Sequence, residues 1–441
     1  MNKNNLRNIF ALLAITTSSF CVHAQQLYFP PVTGNAWDTI SPQSLNWCQQ
    51  NVDSLYAYLD ANNTNAFILL KDGKIVLEKY FGTHTQTTPW QWASAGKTIT
   101  SFMVGIAQQE NHLSITDTTS KYLGKGWTMC TPEQEGKITI RHQLTMTTGL
   151  DDGVSDLFCT ADTCLVYKED AGTRWAYHNG PYTLLDEVIA KATGKTLNTY
   201  TTQKLKNPTG MTGAFVTIGS NNVFFSNARS MARFGLLVLN KGNWNGSQIM
   251  TDTAYFSQMV STSQNLNPAY GYLWWLNGKF TYMLPGSQLQ LNGFLNPNAP
   301  ADMFVAMGKD GQFLNVVPSQ NLVWIRMGNA PDGLPVPFLM NNKIWEYIND
   351  LVCNTTGLNE PFLNKHLVRI FPNPGNDIMH ILSDQSISEV RLFNAYGQLV
   401  KAVGTRNQEL NMSVSELSGG IYFVQVDLPA NQIWTGTFIK Q

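Results

Sequence analysis

The stretch Trp90-Gln-Trp-Ala-Ser94-Ala-Gly-Lys97-Thr-Ile-Thr-Ser-Phe102-Met-Val-Gly-Ile106 decides how the chain is read. Apolar residues stand at 95, 99, 102, 103 and 106, the i, i+4, i+7, i+8 spacing of a helix with a buried face. Ser94 and Lys97 are three apart, so on a helix they share a side and the lysine amine can reach the serine hydroxyl. Burial of that amine lowers its pKa until it can accept a proton, which makes a Ser-x-x-Lys pair a nucleophile with its own base. Trp90 and Trp92 before the serine, and the small Ala95 and Gly96 after it, predict crowded and partly dry surroundings for the pair.

Upstream of this helix, Ala66-Phe-Ile-Leu-Leu70 and Ile75-Val-Leu77 flank Asp72-Gly73, a hairpin signal because a tight turn needs residues that tolerate positive φ. Downstream, a second helix is marked by Pro181 at its first position, by Leu184, Leu185, Val188 and Ile189 on one face, and by Gly194 as its stop. A third helix is expected over 226–239. Strand patterns return at 303–307, 312–317 and 322–326, with a turn at Lys309-Asp310-Gly311, and a closing helix is expected over 336–353. Early strands, central helices and late strands around one core predict an α+β domain over 25–355. Residues 356–368 read as a linker. Residues 369–441 carry only short strands with turns at Tyr396-Gly397 and Gly419-Gly420, which predicts a separate all-β sandwich.

Composition narrows the function. The 441 residues are 43% hydrophobic, ample for a large core, so disorder is excluded. Net charge is -1 and charged residues make up 13%, about half the usual share, so a phosphate-tracking basic face and a nucleic-acid partner are not expected. Residues 1–24 combine Lys3 and Arg7, the apolar run 9–15 and a Val22-His23-Ala24 end, which reads as a secretory signal peptide, and no later stretch is long enough for a transmembrane span. Export permits disulfides, and the remaining Cys48, Cys130, Cys159, Cys164 and Cys353 are odd in number, leaving at least one thiol free or paired between chains. Cys159 and Cys164 flank a loop short enough for them to close. No cysteine cluster has zinc spacing, so neither a metal nor a cofactor is expected.

A second chemical element, Tyr177-His178-Asn179, precedes the Pro181 helix. The phenol can join a proton network, and the Asn179 amide offers both a donor and an acceptor to a substrate carbonyl group. His178 alternates away from its neighbours in an extended stretch and His142 opens an apolar helix, so both read as structural; Asp151 and Asp152 suit either a cleft wall or a helix-ending turn.

Together, Ser94-x-x-Lys97 and Tyr177-x-Asn179 resemble the penicillin-recognising serine hydrolases, in particular the branch of class C β-lactamases, D-alanyl-D-alanine carboxypeptidases, family VIII esterases and 6-aminohexanoate-dimer hydrolase. Leu144-Thr-Met-Thr-Thr-Gly-Leu150, Ala232-Arg-Phe-Gly-Leu-Leu-Val-Leu-Asn-Lys-Gly242 and Tyr270-Gly-Tyr-Leu-Trp-Trp275 resemble further signatures of that family, in the same order. The resemblance implies a β-lactamase/transpeptidase-like fold, an antiparallel sheet flanked by helices with a helical region beside it. It implies acyl transfer through Ser94, with Lys97 and Tyr177 as general base and acid and Asn179 as a substrate contact. The family's third motif, on a strand edging the site, departs here: Ala306-Met307-Gly308 followed by Lys309 is one register, Lys309-Asp310-Gly311 the other. The first makes Gly308 a substrate-binding position and the backbone N–H groups of Ser94 and Lys309 the oxyanion hole; the second uses Gln312. Ala306 cannot hold a carboxylate, which turns the expectation from β-lactams toward esters and small amides. A β-lactamase or peptidase, and a silent surface binding protein, are the alternatives. Because first and last helices pack together in that fold, the resemblance also implies a Cys48–Cys353 disulfide.

In the last 73 residues, Phe371-Pro-Asn-Pro374, Val390-Arg-Leu-Phe-Asn-Ala-Tyr-Gly-Gln-Leu-Val400, Leu417-Ser-Gly-Gly-Ile-Tyr-Phe-Val424 and Phe438-Ile-Lys440 resemble the type A sorting domain of the type IX secretion system. That resemblance implies an outer-membrane secretion machinery as partner of residues 369–441 and a secreted or surface-attached product.

Overall fold

The computed structural model describes residues 27–330, 336–353, 368–429 and 432–441; the expected signal peptide and nearly all of the expected linker lie outside them. After a first helix α1 (Gln49–Ala61), strands β1 (Thr64–Lys71) and β2 (Lys74–Tyr80) form the expected hairpin. Asp72 (φ 51°) and Gly73 (φ 81°) both occupy the left-handed region, as a two-residue turn matched to strand twist requires. A 3₁₀ turn, Ala93–Gly96, then runs into helix α2 (Lys97–Gln109), which is buried from Lys97 to Ala107.

Where a single Pro181 helix was expected, there are two. Helix α3 (Asn179–Thr183) starts two residues before Pro181, and α4 (Leu185–Thr193) follows and stops at Gly194 in the left-handed region. A hairpin that the sequence reading passed over comes next, β3 (Ala214–Ile218) and β4 (Asn221–Ser226). Ser226 therefore ends a strand, and α5 (Ala228–Leu239) begins after Asn227, whose side chain accepts from the Ser230 N–H and caps the helix.

Strands β5 (Trp275–Leu276), β6 (Phe304–Gly308), β7 (Gln312–Val317) and β8 (Leu322–Gly328) complete a six-stranded sheet in the order β2-β1-β8-β7-β6-β5, every pair antiparallel. The closing helix α6 (Phe338–Asn349) is shorter than expected at both ends. Helices α1 and α6 pack together, with Tyr58 stacked on Tyr347 at 4.8 Å, and Trp345 of α6 meets Trp324 of β8 edge-on at 5.9 Å. Val323, the neighbour of Trp324, points to the other face. There α5 lies so close that a Cβ on Gly235 would come within 2.5 Å of Val323 and 2.6 Å of Leu314. The sheet is thus sandwiched, and β6 lies on the Ser94 side of its middle.

Cys48 and Cys353 are disulfide-bonded across 305 residues and Cys159 and Cys164 across 5, while Cys130 is a free thiol. Beyond the hydrolase-like core, the tail forms a three-stranded and a four-stranded antiparallel sheet around a second apolar cluster that includes Met379, Leu392, Met412 and Val424. It includes two strands not expected from the sequence, Arg369–Phe371 and Glu409–Ser413. Among the described residues, no helix is long and apolar enough to cross a membrane.

Candidate active site

The serine sits where backbone geometry is most constrained. Trp92 is fully buried, its N–H donating to Phe224 O at 2.8 Å and its indole Nε1–H to Ser226 Oγ at 2.8 Å. Ala93 then turns through φ 45°, a left-handed conformation that costs a non-glycine residue of order 1 kcal/mol, and delivers Ser94 half-exposed at the start of the helix. Strand β6 runs against this turn. A Cβ on Gly308 would lie 2.4 Å from Trp92 O and 3.0 Å from Ala95 N, so only glycine lets the strand come this close. Of the two registers of the third motif, Gly308 is therefore the glycine beside Ser94. Gly311 backs onto the Arg326 guanidinium instead, and the Gln312 side chain turns inward to bond Gly328 N and O. Lys309 stands exposed at the start of the following turn.

Lys97, only 3% exposed, donates from Nζ to Ser94 Oγ at 3.0 Å. Its ammonium lies 4.4 Å from the ring centre of Tyr182 and 5.3 Å from that of Tyr177. Burial pushes its pKa from 10.5 down to about 7, partly opposed by the negative charge of Asp186. Tyr177 is 7% exposed, and burial pushes its phenol up to about 12 against the opposing pull of Ser94. The ring is fixed by an aromatic box: Trp275 stacked at 5.9 Å, Tyr270 edge-on at 6.2 Å and Trp175 at 6.4 Å. Asn179, at the start of α3, is buried with Oδ1 lacking any partner, a polar atom held ready for a ligand. Ser94, Lys97, Tyr177 and Gly308 thus gather around one point, from three segments that are far apart in the chain, and Asn179 follows Tyr177 by two residues.

The other titratable candidates separate from it. His142 Nδ1 bonds Thr139 in a capping box of the Ile140–Leu144 helix. His178 is buried with both ring nitrogens unpartnered and its pKa pushed down to about 4 by burial, so it stays neutral at ordinary pH. Asp151 bonds the Gly153 N–H, and Asp152 pairs with Arg174 at 2.6 Å, so both shape the loop before Arg174. Two residues at the site went unread in the sequence, Tyr182 and Asp186. They lie three and seven positions after Asn179, a helical spacing that could have placed them on its face.

The family profile of Beta-lactamase matches residues 59–347, and that of the secretion system C-terminal sorting domain matches residues 369–441. The chain belongs to the β-lactamase family. Members of this family are serine hydrolases, and the tail marks the protein for type IX secretion to the cell surface or beyond. Among solved structures, a protein assigned as a 6-aminohexanoate-dimer hydrolase from Bacillus anthracis aligns with a TM-score of 0.55 at 21% identity, over 73% of this chain and 88% of its own. A protein assigned as a β-lactamase from Bacteroides dorei gives 0.55 at 18% identity, over 69% and 99%. A family VIII carboxylesterase gives 0.51 at 14% identity, over 68% and 96%. At these identities the likeness establishes the β-lactamase fold. No curated protein matches by sequence.

Proposed function

We propose that this β-lactamase-family protein is an exported serine hydrolase that cleaves an ester or small amide bond through a Ser94 acyl-enzyme. The observation that carries the reading is the 3.0 Å bond from a buried, partner-poor Lys97 to the Ser94 hydroxyl. With its pKa near 7, a large fraction of Lys97 is neutral at neutral pH and able to accept the serine proton as Oγ attacks the substrate carbonyl. Tyr177, near 12, keeps its proton and passes it to the departing alcohol or amine, recovering one from the Lys97 ammonium. The tetrahedral oxyanion is held by the N–H groups of Ser94 and Lys309, a pairing supported by the close approach of Gly308 to the serine turn. Asn179 contacts the acyl portion through its free amide oxygen and its NH₂. Water then attacks the ester carbon with Lys97 again as base, and the acid and Ser94 are released.

Esters and small amides are favoured over β-lactams by the third motif. Ala306, where a cation would hold a drug carboxylate, is 1% exposed and apolar. Of the similar structures described above, one carries a carboxylesterase name, one a 6-aminohexanoate-dimer hydrolase name and one a β-lactamase name. The test is hydrolysis of a short-chain p-nitrophenyl ester beside a chromogenic cephalosporin, using the protein and its Ser94→Ala variant, with intact mass after trapping. Ester turnover and an adduct on Ser94, both lost in the variant, are expected. Rapid cephalosporin loss would move the assignment to a β-lactamase, and turnover surviving in Ser94→Ala would remove it altogether.

A further inference from the structure

Asp186 stands in the first turn of α4, where a carboxylate ordinarily faces solvent and gains from the helix dipole. Its neighbour Glu187 does so and is exposed. Asp186 does not: although the residue is half-buried overall, its Oδ1 is sealed from solvent and has no hydrogen-bond partner. Its Oδ2 is anchored by the Asn222 side-chain amide from β4. One helical turn back on the same face, Tyr182 lies under the Lys97 ammonium at 4.4 Å, with its hydroxyl tied to Thr100 at 3.2 Å. A buried carboxylate oxygen without a donor is costly unless the group is neutral or faces a cation. The cation whose charge reaches Asp186 is Lys97, and the two act on each other in both directions: each favours the charged form of the other.

We propose that Asp186, clamped by Asn222, is a positioning residue for the Ser94–Lys97–Tyr177 machinery, a buried counter-carboxylate that sets the charge on Lys97. The inference rests on the catalytic reading of Lys97 given above. The titratable groups facing Lys97 are Tyr177, Tyr182 and Asp186; those facing Asp186 are Lys97 and Tyr182. Burial holds Tyr182 far above its usual range, so it carries no charge at working pH. Burial also pushes the Asp186 carboxyl up to about 7, close to Lys97, and the two groups exchange protons as one unit across neutral pH.

The sign follows. An anionic Asp186 favours the ammonium form of Lys97, so its removal frees the base at lower pH. In Asp186→Asn, which keeps the shape and an acceptor for Asn222, the midpoint of the acid limb of Ser94 acylation by a fluorophosphonate probe should move down by up to about one pH unit, with the gain largest near neutral pH, where wild-type Asp186 is losing its proton, and fading well below it, where Asp186 is already neutral. The titration midpoint of Lys97, followed by ¹³C NMR of labelled lysine and assigned with Lys97→Met, should move the same way. Asp186→Ala provides the same readout if the asparagine variant fails to fold. A limb and a Lys97 midpoint both unchanged in a folded variant would overturn the proposal while leaving the Ser94 mechanism in place. A wild-type Ser94 unreactive at every pH would instead remove the hydrolase reading, and the Lys97 midpoint alone would then decide the role of Asp186.

Discussion

Arg326 and Lys97, two of the cations buried in the hydrolase-like core, are treated in opposite ways. Arg326 on β8 is 0% exposed, and its donors reach Thr64 Oγ1 at 2.9 Å and the carbonyls of Asn62, Asp310, Gly311 and Asn329 at 2.6–3.0 Å. Its guanidinium stitches the end of β1 to the turn after β6. Lys97 is equally buried but has Ser94 as its hydrogen-bonded partner and aromatic faces around the rest of it. Satisfied burial builds structure, because desolvation is offset by several charge-assisted bonds. Under-satisfied burial builds chemistry, because the unmet penalty moves the pKa to where the group can exchange protons.

The sharpest way to break this contrast is Lys97→Met. Loss of the base should slow Ser94 acylation by about 10²–10⁴-fold. The thermal midpoint should rise, since a buried, poorly solvated amine is replaced by an apolar chain of similar length. Intact-mass kinetics and thermal unfolding read the two effects; a fall in stability would show that Lys97 is structural after all. Arg326→Met should do the reverse, with stability falling by about 3–5 kcal/mol in urea unfolding as carbonyls lose their donor. The acylation rate of the molecules that remain folded should be preserved, and a rate collapse without unfolding would make Arg326 part of the site.

A smaller effect concerns the covalent brace. The Cys48→Ser/Cys353→Ser double variant should lose about 2–4 kcal/mol, with ester turnover at room temperature unaltered, because the disulfide lies outside the site. The smallest is a slope. The folded pKa of Lys97, about 7, lies below its ordinary 10.5, so between these values the unfolded chain binds more protons than the folded one. Stability should therefore rise with pH across that window, by no more than about 1.4 kcal/mol per pH unit, and the burial penalty is at its full size below pH 7. The difference in urea stability between wild type and Lys97→Met should carry this slope; a flat difference would place the lysine in contact with solvent.

Much of this was legible in the sequence because it is written at short range. The Ser94–Lys97 pair is a helical spacing, the Asp72-Gly73 turn is a local φ requirement, and Cys159 and Cys164 enclose their own loop. Strands β6 to β8 and α5 fell within two or three residues of their expected ends. What escaped was set by tertiary contact. Trp175 and Trp275, which box Tyr177, are a hundred residues apart, and nothing local joins them. Asp186 looks like any acid in a helix's first turn until Asn222 is folded against it. The β3–β4 hairpin was hidden by its polar, half-exposed text, Thr217-Ile-Gly-Ser-Asn-Asn222, where one-sided burial leaves little periodicity to read. The register of the third motif was open for the same reason: both glycines fit the spacing, and only the approach of one strand to the serine turn separates them.

The disulfide between Cys48 and Cys353 closes the hydrolase-like core into a ring, and its second cysteine lies just before the chain leaves for the tail. Mechanically, that makes the tail a tow line tied to a hoop. A pull on the chain beyond Cys353 passes through a covalent bond to Cys48, at the cap of α1, and is shared between α1 and α6 instead of peeling α6 from the sheet. Cutting the tow line after Cys353 likewise leaves no loose end at α6 from which unravelling could begin.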